Sequence, residues 1–95
     1  MKKIINQENK INIQDPELKN KNTVTVGWLA RFAKVKQPYR VLELAAKFPE
    51  VKFLLGGDGP LRSELVKRAT PNCTFLGWTT SPEKFWAECD IALLT

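Results

Sequence analysis

The stretch that decides the fold is TVTVGWLARFAKVKQP, residues 23–38. It opens with a β-branched and apolar run over residues 24–29, and this composition predicts a buried parallel strand. A polar loop follows, and its three cations are Arg31, Lys34 and Lys36. Pro38 then marks a favoured first helical position. Because helix-start N–H groups and nearby cations both attract an anion at the carboxyl end of a strand, the stretch predicts a phosphate-binding edge.

The rest of the chain repeats the strand-then-helix unit. Further strands are predicted over residues 51–55, 73–76 and 91–94, and further helices begin near Pro60 and Pro82. Ser81 precedes Pro82 as a predicted N-cap. The inner faces of the first two helices are predicted to hold Val41, Leu44, Ala45, Phe48, Leu61, Leu65, Val66 and Ala69.

This alternation predicts an α/β domain with a parallel sheet in the strand order 3-2-1-4. The first two helices would cover one face and the third would begin to cover the other, which should stay largely bare. Residues 1–22 are rich in lysine and asparagine and show no clear period. They are predicted to be a lead-in or linker, with a short extended piece near residues 11–13.

Composition narrows the possible functions. The net charge of +5 suits an anionic ligand or a membrane surface, whereas nucleic-acid binding usually requires a clustered basic face. The chain has no histidine, and Cys73 and Cys89 do not form a C-x-x-C pair, so zinc fingers and histidine-based catalysis are excluded. The cysteines are predicted to be buried thiols in a reducing cytoplasm. No apolar run is long enough for a membrane span or a signal peptide.

The GGDGP segment, residues 56–60, has the setting of a ligand-binding turn because it follows a strand and opens a helix. It lacks the spacing of the dinucleotide fingerprint and of the P-loop. The alternatives remain open: the glycines suit a plain tight turn, and Asp58 suits a helix dipole. Arg31 and Lys36 equally suit solvated loop charges, and Trp78 a half-buried rim aromatic. No paired carboxylates or activated nucleophile stand out.

Taken together, four segments resemble the carboxyl-terminal, nucleotide-sugar-binding domain of family-4 (group 1) glycosyltransferases, which have the GT-B fold. VGWLARFAKVKQP is similar to the family's first strand and Arg-x4-Lys loop, and LLGGDGPLRSEL to its G-x-G-P-x-x-x-x-L turn. CTFLGW is similar to its F-L-G segment, and FWAECDIALLT to the helix and strand before its active-site helix. The resemblance covers residues 23–95 and implies a Rossmann-like three-layer domain.

The resemblance also implies roles for single residues. Arg31 and Lys36 match the pair that neutralises the donor diphosphate as it leaves, a catalytic role. The positions that match the nucleotide pocket are Gly57, Asp58, Gly59, Pro60, Gly77 and Trp78. Ala30 replaces a glycine that is common in the family. Such enzymes generally need no metal, and no other cofactor is expected beside the nucleotide-sugar donor.

The expected function is therefore sugar transfer to a glycan or lipid-linked acceptor, with possible peripheral association at the inner membrane face. The family's E-x7-E segment and its acceptor-binding domain are not found, so the chain is expected to be an incomplete donor domain with little activity alone. The alternative is a non-catalytic nucleotide-binding or interaction module that associates through the bare sheet face, or a decayed fragment. A nucleotide-sugar epimerase is disfavoured, because the expected acid or histidine groups are not found.

Overall fold

The computed structural model describes residues 3–6 and 23–94, which form one parallel sheet with helices on both faces. The strands are β1 (Lys3–Asn6), β2 (Thr25–Leu29), β3 (Lys52–Gly56), β4 (Cys73–Gly77) and β5 (Ile91–Leu94). The helices are α1 (Pro38–Lys47), α2 (Arg62–Arg68) and α3 (Pro82–Ala87), and a 3-10 turn, Lys34–Lys36, precedes α1. The sheet order is β1-β5-β2-β3-β4.

The predicted order 3-2-1-4 is confirmed as β4-β3-β2-β5, in which every neighbouring pair is parallel. The fold is therefore α/β and Rossmann-like. β1 adds a further parallel strand outside β5, with Lys3 in register with Ile91. The sequence analysis did not predict this strand, because four residues are too few to show a period. The extended piece predicted near residues 11–13 lies outside the described residues.

The main core lies between the sheet and the helices α1 and α2. Trp28 and Phe53 are buried in it, as are Val41 and Ala45 of the predicted α1 stripe. The other two stripe residues, Leu44 and Phe48, are half-buried and pack against the same core. Burial of side chains of this size supplies roughly 1.5–3 kcal/mol each, so this face provides most of the stability.

A smaller core on the opposite face is formed by Leu54 with Phe85 and Cys89 from α3 and the residues after it. Two strand glycines make the room. A Cβ on Gly27 would lie 2.3 Å from the sulfur of Cys89, and one on Gly56 would lie 2.7 Å from the Phe85 ring. Farther along this face, at β4, Leu76 is 47% exposed. The face predicted to be bare is thus covered by α3 at its centre and open at β4.

Two details of the predicted helices were wrong, and the predicted N-cap of α3 is confirmed in position. α2 begins at Arg62 and not at Pro60, because Pro60 lies in a turn in which Arg62 donates its N–H to the Gly59 carbonyl (3.1 Å), and Leu61 is the N-cap. Val66 is 47% exposed, since it lies about 100° around the helix from the buried Leu65. Ser81 occupies the N-cap of α3, but its side chain makes no capping hydrogen bond.

Both cysteines are free thiols. Cys89 is buried and Cys73 is half-buried, where burial raises the pKa of its thiol. No helix within the described residues has the length and apolarity needed to cross a membrane. The same part of the chain contains no group of acidic or cysteine side chains able to hold a metal ion.

A polar cluster on the surface joins α1 to α2. The Tyr39 hydroxyl donates to Oε2 of Glu64 (2.6 Å), and Arg68 pairs with Oε1 of the same carboxylate (2.9 Å). The Arg68 guanidinium also lies 5.2 Å from the centre of the Tyr39 ring. The hydrogen bond to Glu64 is the main cause that raises the pKa of Tyr39, with desolvation and the Glu64 charge adding to it and Arg68 opposing it.

Tyr39 is the single tyrosine of the chain, so tyrosinate absorbance measured against pH reports this group alone. We expect its midpoint to lie above that of an unperturbed tyrosine. Glu64→Ala should lower the midpoint and Arg68→Ala should raise it further. Because the pKa is raised in the folded state, the cluster stabilises the chain below the ordinary tyrosine pKa, and this stabilisation is lost as the pH rises through the raised value. Glu43→Ala on α1 is the control, and a midpoint insensitive to Glu64→Ala would contradict the contact.

Candidate functional site

Three loops meet at the carboxyl edge of the sheet, because β2, β3 and β4 run parallel and end side by side. The loop after β2 carries Arg31 and leads through the 3-10 turn to α1. The loop after β3 is the GDGP segment, residues 57–60, and the loop after β4 begins at Trp78. The resemblance implied that residues of these loops serve one nucleotide site, and the strand order β2-β3-β4 brings the loops to one edge.

Backbone hydrogen bonds continue from the strands into the loops and fix them against each other. Ala30 donates to the Gly56 carbonyl (3.1 Å), and Phe32 donates to the Asp58 carbonyl (2.9 Å). On the other side, Gly57 donates to the Gly77 carbonyl (2.7 Å). The loop after β3 is therefore hydrogen-bonded to the segments on both sides of it and lies in the middle of this edge.

Phe32 anchors the loop after β2 in the core. Its side chain is fully buried, and its ring stacks on Trp28 with centroids 5.5 Å apart and meets Phe75 edge-on at 6.1 Å. The sequence analysis missed this residue. The available signal was a bulky aromatic between small and charged loop residues. Because Phe32 points into the core, its neighbour Arg31 is held at the surface.

The glycines of the loop after β3 allow it to approach the loop after β2. Gly57 has a φ of 123°, and a Cβ there would lie 2.0 Å from the Ala30 carbonyl oxygen. A Cβ on Gly59 would lie 2.6 Å from the Phe32 carbonyl oxygen. Among the described residues, the backbone that lies close to these two glycines therefore belongs to another loop of the protein, the loop after β2.

A cavity of about 560 Å³ opens between the loops. Among the described residues, its lining consists of Arg31, Asp58, Gly59, Pro60 and Trp78, all of which the sequence analysis singled out. A second cavity of about 240 Å³ shares Arg31 and Trp78 and has a largely apolar wall that includes Leu29 and Pro82. The Trp78 side chain is 72% exposed, so a large aromatic surface is available beside a cation. Such a combination suits a ligand that has both a planar ring and a negative charge.

The remaining predicted site residues are not among the described residues that line the two cavities. Lys36 is exposed in the 3-10 turn and is not part of either cavity wall. Gly57 is buried and Gly77 is half-buried with a φ of 76°, and both act through the backbone. Gln37, between the turn and α1, adopts the left-handed conformation with a φ of 54° and sets the turn off from the helix.

The two charged residues of the larger cavity are not paired with each other. Within residues 23–94 the structure shows no ion pair for Arg31, and the carboxylate of Asp58 accepts one hydrogen bond, from the Gly59 N–H (2.8 Å). Both side chains are exposed. Arg31 therefore keeps its donors available for an anionic ligand.

No known protein family and no curated protein matches the sequence of the chain. Among solved structures, the chain is similar to TarM of S. aureus, a GT-B glycosyltransferase, in a crystal structure of a TarM mutant in complex with fondaparinux, alpha-GlcNAc-glycerol and UDP. The TM-score is 0.63 at 22% sequence identity, over 72% of this chain and 16% of the TarM chain. The chain thus spans a small part of the length of TarM. The likeness shows a glycosyltransferase-like fold.

Proposed function

We propose that this chain forms the nucleotide-sugar-binding part of a glycosyltransferase. The observation that carries the proposal is Arg31, an exposed cation with no ion pair among residues 23–94, which lines one cavity together with Trp78 and residues 58–60 at the carboxyl edge of a parallel sheet. Ligands of open α/β sheets bind at this edge. The TarM complex, which contains UDP, adds support from a protein of similar fold.

In the proposed complex Arg31 binds the diphosphate of the donor. As the bond between sugar and diphosphate breaks, negative charge develops on the leaving group, and a guanidinium already in place lowers the energy of that transition state. By resemblance, Lys36 is the second cation that binds the donor diphosphate. It contributes from the 3-10 turn when its flexible side chain extends toward the diphosphate.

Trp78 provides a stacking surface for the nucleobase. Asp58, Gly59 and Pro60 form the adjoining wall, while Gly57 and Gly77 shape the loops that hold it. No metal or further cofactor takes part in the proposal. In the proposal residues 23–95 act as the donor domain, resembling the carboxyl-terminal domain of the family-4 enzymes, and β1 adds an edge strand to its sheet.

The acceptor in the proposed reaction is a glycan or a lipid-linked saccharide of an envelope polymer, modified in the cytoplasm or at the inner membrane face. A complete enzyme needs an acceptor-binding domain across the cleft, because much of the rate comes from positioning the two substrates. The 95-residue chain is therefore proposed to bind the donor and to be inactive alone.

The test is calorimetric titration of the chain with UDP. Arg31→Ala and Lys36→Ala should each weaken binding about tenfold or more, which corresponds to ~1.4 kcal/mol. Arg40→Ala and Lys47→Ala are the matched controls, since both residues are exposed cations of α1 and neither belongs to the loop after β2. Equal losses in the variants and their controls would show that only general charge matters. A chain that is folded by circular dichroism and binds none of UDP, GDP and ADP would overturn the proposal.

A non-catalytic interaction module is the second candidate, and the exposed apolar side chain of Leu76 on the open face at β4 favours it. Failure of the folded chain to bind any nucleotide, combined with self-association in analytical ultracentrifugation, would favour this function over the first.

A further inference from the structure

Asp58 introduces a negative charge into a cavity that is proposed to bind an anion. Asp58 and Arg31 line the same cavity, so the formal charges of the described lining cancel. A site that binds only phosphate groups gains nothing from such a carboxylate, because phosphate oxygens and carboxylate oxygens are both acceptors and repel each other. The lining therefore suits a ligand that combines an anion with hydrogen-bond donors.

The carboxylate is held in a defined position. The Asp58 carbonyl accepts the Phe32 N–H (2.9 Å), and the side-chain Oδ1 accepts the Gly59 N–H (2.8 Å). The approach of Gly59 to the Phe32 backbone restrains the loop further. These contacts leave Oδ2 with no donor from residues 23–94. An oriented, exposed carboxylate oxygen beside a cation is an acceptor for ligand hydroxyl groups.

We propose that Asp58 is a specificity-determining residue that binds hydroxyl groups of the transferred sugar and disfavours a phosphate at the same place. The inference rests on the proposed function, in which Arg31 binds the diphosphate. In a nucleoside diphosphate sugar, the group after the second phosphate is a sugar with several hydroxyls. In a nucleoside triphosphate, the same place is taken by a third phosphate. Asp58 thus separates two ligands that share the nucleoside and the diphosphate.

The alternative is that Asp58 only caps the Gly59 N–H and stabilises the turn. Asp58→Asn distinguishes the two roles, because asparagine keeps the shape and an oxygen acceptor for Gly59 but removes the negative charge. A purely structural residue would change the binding of all ligands alike. A specificity residue changes the ratio between ligands.

The experiment measures calorimetric dissociation constants of the wild-type chain and Asp58→Asn for UDP, UTP, UDP-glucose and UDP-N-acetylglucosamine. In Asp58→Asn, the ratio of the UTP constant to that of the tighter-binding UDP-sugar should fall by about tenfold, since one repulsion is removed and one charged hydrogen bond is weakened. The dissociation constant of UDP, which has neither a sugar nor a third phosphate, should change by less than about threefold. Glu43→Gln, an exposed acid on α1 outside the cavity wall, is the matched control and should leave the ratio unchanged.

An unchanged ratio in Asp58→Asn, with the wild type still binding UDP, would overturn this inference and leave the proposed function standing. A loss of affinity of the same size for all four ligands would also overturn this inference, in favour of the capping role. A folded wild type that binds none of UDP, GDP and ADP would overturn the proposed function, and this inference with it.

Discussion

Alanine at position 57 is expected to lower the free energy of unfolding by about 3 kcal/mol or more. Gly57 has a φ of 123°, which L side chains rarely adopt, and its Cβ would lie 2.0 Å from the Ala30 carbonyl oxygen. Since that atom belongs to the backbone, the two loops must separate. Their hydrogen bonds, including the one from Gly57 to the Gly77 carbonyl, are then strained or lost. Urea denaturation followed by circular dichroism measures the effect.

Gly77→Ala is the matched control, because Gly77 also has a positive φ of 76° but, apart from its two chain neighbours, no described residue has an atom within 4 Å of the added Cβ. It retains the conformational strain without the clash, so its cost should be about 1–2 kcal/mol. The difference between the two variants therefore measures the close approach of the loops. Equal destabilisation by both would show that the approach does not matter.

The second large effect is expected at Asn72. Its side-chain amide donates to three backbone carbonyls, those of Ala45 (3.0 Å), Phe48 (3.0 Å) and Val51 (2.8 Å). These carbonyls lie at the end of α1 and in the connection to β3, and those of Ala45 and Phe48 also accept backbone N–H groups within this turn. One half-buried amide thus joins α1 and β3 to the start of β4.

Asn72→Asp should destabilise the chain by about 2–4 kcal/mol, and Asn72→Ala by less, about 1–3 kcal/mol. Aspartate has nearly the same shape as asparagine but directs acceptors at three carbonyl oxygens, whereas alanine only removes the donors. Thermal and urea unfolding measure which of the two variants is the less stable. If the aspartate variant were the more stable of the two, Asn72 would act by filling space and not by donating hydrogen bonds.

Much of the candidate site could be predicted from the sequence, because its residues follow the carboxyl ends of adjacent parallel strands. Arg31 comes after β2, residues 58–60 after β3, and Trp78 after β4, and parallel pairing brings all of them to one edge. Lys36 shows the limit of this reasoning. It is five residues from Arg31, but a 3-10 turn and the left-handed Gln37 lie around it, and it is not part of the cavity wall.

Other features depend on contacts between distant residues and left little trace in the sequence. Phe32 is buried because Trp28 and Phe75 lie on either side of it, and Phe75 is far away along the chain. Asn72 reaches carbonyls more than twenty positions earlier. The edge strand β1 is defined by its pairing with β5, at the opposite end of the chain.

By itself, then, the sequence determined the type and order of the helices and strands from β2 to β5 and the parallel α/β architecture. Hydrophobic period, proline and glycine positions are local properties, and they are enough to specify those elements. The tertiary structure decided how the loops meet: the approach of Gly57 to Ala30, the burial of Phe32, and the shared cavity of Arg31, Asp58 and Trp78. These depend on distances between segments far apart in the chain, which are set only when the sheet and its helices pack together.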